Sequence, residues 1–140
     1  MISEQDAVRR LITICPGFQD SLAFYTETYG RFDESYNVIG ELAKWVVEQM
    51  KAHDFACFTE LFTEFEGVLA NATEDARQVL VIGFLEDVHN LTVRFHRPAE
   101  HIDPDVLLPY LGPKSRSEWF SLVRRYLDWG ETWPGRTDNE

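Results

Sequence analysis

Hydrophobic residues recur along most of the chain at spacings of three and four, which is the period of an amphipathic helix. The clearest stretch contains Phe58, Leu61, Phe62, Phe65 and Leu69. No two alternating apolar runs are joined by a short turn, the pattern that would indicate a β-hairpin. The sequence therefore predicts an all-α protein.

Capping and turn residues divide this pattern into six or seven helices. Pro16 with Gly17 is expected to end the first helix, and helices are predicted over about 18–29 and 33–53. The expected amino-terminal caps are Ser3 for the first helix and Asp54, Thr73, Asp103 and Ser115 for later ones, the last forming a capping box with Glu118.

Two segments are harder to assign. The run 79–85 is apolar enough for a buried strand, but we interpret it as helix because no strand-like run offers it a partner. Segment 91–95 has strand propensity, and its secondary structure is left open. Together the pattern predicts one compact domain over 1–130, either a helical bundle or a short stack of antiparallel helical hairpins. A polar tail over 131–140 follows it.

The charge of the chain is unevenly distributed. The net charge is −11, and residues 1–90 carry 16 Asp and Glu against 6 Lys and Arg. Such a field repels nucleic acid and anionic membranes and attracts basic partners. The simpler interpretation, that the charge only keeps the protein soluble, stays open beside it.

The sequence shows neither a membrane helix nor a signal peptide, and this predicts both the location of the protein and the redox state of its cysteines. No apolar run approaches the roughly 18 residues of a membrane helix, and Met1 to Asp6 do not resemble a signal peptide. We therefore expect a cytoplasmic protein that does not bind membranes. In that compartment Cys15 and Cys57 are expected to be buried, reduced thiols.

The sharpest candidate for chemistry is the segment that contains Glu86, His89 and Asn90. On a helix these residues share one face, and Glu-x-x-His is the ligand pair of di-iron helical bundles. Those bundles use two copies of the pair, and this chain has one. We interpret the segment as a structural polar cluster and expect no metal, no cofactor and no enzymatic activity. Three further histidines are scattered over helix ends and loops: His53, His96 and His101.

A row of carboxylates follows the third predicted helix. Glu34, Glu41 and Glu48 recur every seven residues, and further glutamates follow on the fourth helix. Such a row is either a solvated face or a docking surface for a basic partner.

Aromatic residues crowd the carboxy-terminal part of the chain. Trp119, Trp129 and Trp133 lie there. They are expected either to pack in the core and fasten the tail or, where exposed, to anchor an interface.

The carboxy-terminal part also resembles a known class of proteins. The resemblance rests on segments 84–90 and 108–115, on Trp119 and on Tyr126 to Trp129. It is similar to the small helical immunity proteins of bacterial polymorphic and contact-dependent toxin systems. The resemblance implies a small acidic protein without an active site, which neutralises one toxin by covering its active site or locking it in an inactive shape.

The leading hypothesis from the sequence is accordingly an immunity protein that binds a basic cognate toxin. The expected contact residues are Glu41, Glu48, Glu60, Glu64 and Glu66. A structural or adaptor domain, joined to an assembly through its aromatic end, is the alternative. A metal-dependent enzyme is a third, less favoured hypothesis.

Overall fold

Every regular element in the described part of the chain is helical. The computed structural model describes residues 1–29, 35–94 and 102–130, and within them it confirms an all-α, single compact domain. The tail 131–140, Phe95, Trp133, Glu34 and the histidines at 96 and 101 lie outside the described residues. The α-helices are α1 Glu4–Ile12, α2 Pro16–Tyr29, α3 Ser35–Lys51, α4 Phe58–Ala70, α5 Glu74–Gln78, α6 Asp87–His89 and α7 Pro113–Gly130.

The most buried element is a continuous helix over 74–94, here called the central helix. It consists of α5, a π-helical segment Val79–Glu86, α6 and a second π-helical segment Asn90–Arg94. Its apolar run contacts α3 and α7, while its first turns contact α1, so its middle is buried on several sides. The prediction of a helix over 79–85 is confirmed, and residues 91–94 are helical rather than a strand.

Aromatic rings join α4 to the central helix. Phe58, Phe62 and Phe65 are fully buried on one face of α4, as their spacing predicts. Phe84 of the central helix lies with its ring centroid 6.0 Å from that of Phe62 and 5.3 Å from that of Phe65. Burial of apolar surface is the main favourable contribution to folding, and large rings bury the most surface per residue. No helix in the described ranges is both long and apolar enough to cross a membrane.

Three of the predicted caps are confirmed. The side chains of Ser3, Thr73 and Asp103 each accept a hydrogen bond from a backbone N–H two or three residues further on. The helix that Asp103 caps is a short 3-10 helix, Pro104–Tyr110. Caps can be read from sequence because the acceptor and the unpaired N–H are neighbours in the chain.

Two other boundary predictions are wrong. Pro16 does not end α1 but opens α2, because a proline at the first helical position loses no hydrogen bond. Asp54 is not the cap of α4, which begins at Phe58; its carboxylate accepts the Ala56 N–H in the preceding turn. The turn between α3 and α4 includes His53, which has a positive φ of 54°.

The expectation of two reduced thiols is also wrong. Cys15 and Cys57 form a disulfide, with their Cα atoms 5.9 Å apart, and no described cysteine is free. The bond connects the residue before α2 to the residue before α4, so it closes a loop that contains α2 and α3. Both cysteines lie at helix junctions, and the sequence does not show that the two junctions meet.

The amino-terminal residues are tied to the start of the central helix. Ile2 donates its N–H to the Asn71 carbonyl at 2.7 Å, and its own carbonyl accepts the Thr73 N–H at 2.9 Å. These two bonds make a short parallel bridge between Ile2 and Ala72. The two helices that follow the bridge, α1 and α5, therefore start side by side.

Candidate interaction surfaces

One outward surface on α4 combines free carboxylates with small side chains. We call Thr59, Glu60, Thr63, Glu64 and Gly67 the α4 stripe. Four of these residues are exposed and Glu64 is half-buried. Neither glutamate forms a hydrogen bond or an ion pair with another described residue. A Cβ atom placed on Gly67 would meet nothing within 4 Å, so the surface beside the glutamates is open.

The two predicted contact glutamates of α3 are paired within their own helix. The Nζ atom of Lys44 lies 3.2 Å from Oε1 of Glu41, and Nζ of Lys51 lies 3.2 Å from Oε1 of Glu48. The Glu48 side chain is 66% exposed and that of Glu41 is 29% exposed. Surface pairs of this kind are weak, but each cation reduces the negative field above its partner.

Glu66 has a different role from the other four. Its Oε1 atom accepts the Ser115 N–H at 2.9 Å and the Ser115 hydroxyl at 2.8 Å, and its Oε2 accepts the Lys114 N–H at 3.1 Å. The predicted capping box is therefore wrong: α7 begins at Pro113, and its cap comes from α4. Glu118, the expected partner in the box, instead forms an ion pair with Arg77.

Electrostatics and packing both fit this cap. Burial raises the pKa of Glu66, but the hydrogen bonds from Ser115 and Lys114 and the charge of Lys114 outweigh it, so the pKa is lowered overall. A Cβ atom at Gly112 would lie 2.5 Å from Cγ of Glu66. Only glycine lets the chain before α7 pass this close to the carboxylate.

The predicted contact residues do not form one continuous face. Helix α1 packs against both α3 and α4, and α3 and α4 have little direct contact with each other. Glu41 and Glu48 are thus set apart from Glu60 and Glu64, and Glu66 is held at the start of α7.

The predicted cluster of Glu86, His89 and Asn90 is divided between core and surface. His89 is 4% exposed, and its ring packs edge-on against Trp119 with centroids 5.4 Å apart. Burial lowers the pKa of His89 to about 4. Glu86 and Asn90 are half-buried. Within the described ranges no three Asp, Glu, His or Cys side chains come together in a way that could hold a metal ion.

Sequence reasoning missed Asp87, the half-buried residue beside this cluster. Burial raises its pKa, the nearby charge of Glu86 raises it further, and Lys44 opposes both. A Cβ atom placed on Gly40 of α3 would lie 3.3 Å from Oδ2 of Asp87. The only signal was a glycine inside the predicted third helix, which marks a close approach without naming the neighbour.

The described aromatics Trp119 and Phe120 lie on different sides of α7. Trp119 is fully buried, so it belongs to the core, whereas Phe120 is 52% exposed. Arg116 and Arg124 stand one turn before and one turn after Phe120, and both are exposed. We call these three residues the α7 stripe. Their four-residue spacing can be read from the sequence, but spacing alone does not show which side of the helix is exposed. The side chain of Trp129 lies outside the described residues.

Comparison with known proteins places the chain in a family. No curated protein and no solved structure matches it. The model of the family DUF7674, described as a domain of unknown function, matches residues 8–127. Because that match runs from α1 into α7 and covers most of the sequence, the chain belongs to the DUF7674 family.

Proposed function

We propose that this protein is a non-enzymatic inhibitor, an immunity protein that neutralises a cationic bacterial toxin by tight association through its acidic surface. The observation that carries the proposal is the α4 stripe, where Glu60 and Glu64 have no cationic partner among the described residues. An unpaired carboxylate on an acidic chain attracts lysines and arginines of a partner and accelerates the encounter. A cytoplasmic location belongs to the same proposal, and there the Cys15–Cys57 disulfide would be an exception to the reduced thiols usual in that compartment.

The existing contacts of each carboxylate determine how much it is expected to contribute to toxin binding. Glu60 and Glu64 can pair with a partner without breaking an internal contact. Glu41 and Glu48 must first release Lys44 and Lys51, so they contribute less.

Glu66 stands apart from this ranking. Because its carboxylate caps α7, it acts on binding mainly through the stability of the fold.

The small side chains of the stripe support the same role. Thr59, Thr63 and Gly67 leave the backbone of α4 approachable between the glutamates. A nuclease or another toxin with a cationic substrate site presents arginines and lysines, and the carboxylates would occupy the positions of its anionic substrate. The resemblance of segments 84–90 and 108–115 to immunity proteins points in the same direction.

The proposal is tested with the product of the gene immediately upstream. Its carboxy-terminal domain is expressed alone and together with this chain, and we expect killing in the first case and a stable, harmless complex in the second. A harmless neighbour that does not co-purify with this chain would contradict the proposal.

Charge reversal then tests the surface. Glu60→Lys with Glu64→Lys is expected to lower the association rate about tenfold and to weaken its salt dependence. The matched control is Asp20→Lys with Glu27→Lys, which changes the net charge equally at two exposed positions of α2. Equal effects of the two double variants would show that only total charge matters and that the α4 stripe is not the contact.

A structural or adaptor role is the second candidate, and the exposure of Phe120 favours it. An interface built on an aromatic anchor responds little to salt, whereas a charge-steered inhibitor loses association rate as salt rises. Measuring the association rate at two salt concentrations separates the two functions once a partner is in hand.

A further inference from the structure

The α7 stripe differs from the rest of this acidic surface. Phe120 stands exposed between two arginines, each one helical turn away. Nη2 of Arg116 donates a hydrogen bond to the Leu108 carbonyl at 2.9 Å, which holds that guanidinium beside the 3-10 helix. Arg124 has no ion pair with any described residue. The stripe is therefore an exposed aromatic side chain with cationic flanks.

Cations elsewhere on the described surface are mostly paired locally. Four of them lie within 4 Å of a carboxylate three residues earlier on the same helix. These pairs are Arg9 with Asp6, Lys44 with Glu41, Lys51 with Glu48 and Arg77 with Glu74. The stripe on α7 keeps its positive charge, although the chain as a whole carries −11.

We propose that the α7 stripe of one molecule binds the α4 stripe of a second copy of this chain. The charges are complementary, since Arg116 and Arg124 would face Glu60 and Glu64. There is also room for the Phe120 ring, because the surface beside Glu60 and Glu64 is open at Gly67. This inference does not depend on the proposed inhibitor function.

The fold also allows the contact to be reciprocal. Helices α4 and α7 pack against each other, so their stripes lie on neighbouring elements of one molecule. A two-fold axis can therefore bring both stripes of each copy into one interface, which stops growth at a dimer. Two short helical stripes bury less area than a typical stable interface, so the dimer is weak.

The dimer would cover Glu60 and Glu64. If the proposed inhibitor function holds, dimer and toxin complex compete for the same carboxylates. The free protein would then be stored as a dimer and would separate when the toxin binds.

The experiment is analytical ultracentrifugation of the full chain in its oxidised form. We expect the mean mass to rise above 16.3 kDa as the concentration approaches about 1 mM in low salt. The association is expected to weaken at about 0.5 M salt, where exposed charges are screened. A mass that stays at 16.3 kDa at every concentration would overturn the proposal. So would a dimer that persists as a covalent species in denaturing electrophoresis without reductant, since it would be linked by a disulfide between copies.

Variants locate the interface. Phe120→Ala and Arg124→Glu are each expected to raise the dissociation constant about tenfold or more. Arg10→Glu on α1 is the matched control, because it makes the same charge change at an exposed position. Dimerisation that survives Phe120→Ala, or that falls equally with Arg10→Glu, would assign the contact elsewhere and reject the proposal.

A charge swap gives an independent check. Combining Arg124→Glu with Glu60→Arg or Glu64→Arg restores an opposite-charge pair across the proposed interface. We expect at least one combination to recover the affinity that Arg124→Glu loses. Recovery in neither combination would reject the pairing of the two stripes.

Discussion

Glu66 on α4 accepts hydrogen bonds from both the backbone N–H and the hydroxyl of Ser115, 49 residues further along the chain. A carboxylate in this position satisfies N–H groups that a helix start leaves unpaired, and its charge favours the positive end of the helix dipole. The contact makes the beginning of α7 dependent on the packing of α4. Glu66 therefore contributes to the fold, whatever else the acidic surface does.

Removing this cap should destabilise the protein measurably. Glu66→Ala is expected to lower the free energy of unfolding by about 2 kcal/mol, because two backbone N–H groups lose a charged acceptor. Urea denaturation measures the loss, and Glu64→Ala, two residues earlier on the outward side of α4, is the control with an expected change below about 0.5 kcal/mol. Because the pKa of Glu66 is lowered, its contribution is present at neutral pH and is lost as the pH falls through the folded-state pKa. Equal losses of unfolding free energy in the two variants would show that the Glu66 carboxylate stabilises the fold no more than a glutamate without these hydrogen bonds.

Two glycines in helices should respond oppositely to alanine. A Cβ at Gly83 would lie 2.7 Å from Cγ2 of Ile39 and 3.0 Å from Cδ1 of Tyr36, so Gly83→Ala must push α3 and the central helix apart. We expect a loss of about 2 kcal/mol in the free energy of unfolding. Gly67 faces open space, and Gly67→Ala should gain about 0.8 kcal/mol from helix propensity alone. Thermal denaturation of the pair checks the prediction, and a gain at both positions would contradict the close approach at Gly83.

The disulfide should stabilise the protein by restricting its unfolded state. The bonded cysteines are separated by 42 positions, and a loop of that length corresponds to about 4 kcal/mol in the chain-entropy description. Urea denaturation with and without a reductant is expected to show a loss of that order for the natural chain. The Cys15→Ala, Cys57→Ala double variant is the control, since it should be insensitive to the reductant. Two titratable thiols in the native, unreduced protein would contradict the bond.

His89 should make the protein sensitive to mild acid. Its pKa is 6.5 in an unfolded chain and about 4 in the fold, so the unfolded state binds the proton more readily between these values. Stability is therefore fully present above the unfolded pKa and falls as the pH drops through that window. We expect a loss of about 2 kcal/mol between about pH 7 and about pH 5. His89→Gln should be less stable at neutral pH but should lack this slope, whereas His53→Gln, at an exposed position, should keep it. An unchanged slope in His89→Gln would assign the acid response to other groups.

The charge of Asp87 should destabilise the fold at neutral pH, so removing it should stabilise the protein. Its raised pKa means that the fold disfavours the charged carboxylate at neutral pH, mainly through burial against α3. Asp87→Asn keeps the shape and removes the charge, so it is expected to raise the melting temperature by about 2 °C. Asp75→Asn at an exposed position of α5 is the comparison, and there the loss of a favourable charge near a helix start should lower the melting temperature slightly. A clear destabilisation by Asp87→Asn would mean that the pairing with Lys44 outweighs the burial.

Features set by neighbours in the chain could be predicted from the sequence. The apolar period gives the helices and the buried face of α4, and the caps at Ser3, Thr73 and Asp103 depend only on the next few residues. The helix over 79–85 is predictable because no strand-like run in the sequence offers this segment a partner.

Features set by distant contacts could not be predicted. The sequence places Ser115 and Glu118 at the spacing of a capping box, yet Glu66 supplies the acceptor because packing brings α4 to α7. The same limit applies to Cys15 and Cys57, whose meeting depends on how α1, α2 and α4 are arranged.

The bridge between Ile2 and Ala72 has a consequence for the order of events during synthesis. Ile2 emerges from the ribosome early, but both of its backbone partners, Asn71 and Thr73, emerge some seventy residues later. Thr73 also caps the central helix, so one short segment completes the docking of α1 and starts the most buried element. A ribosome paused before residue 71 would carry a first helix that can pack on α3 and α4 but lacks the bridge that fixes its amino-terminal end. Translation through this point is the step at which the start of the chain can be fixed beside the central helix.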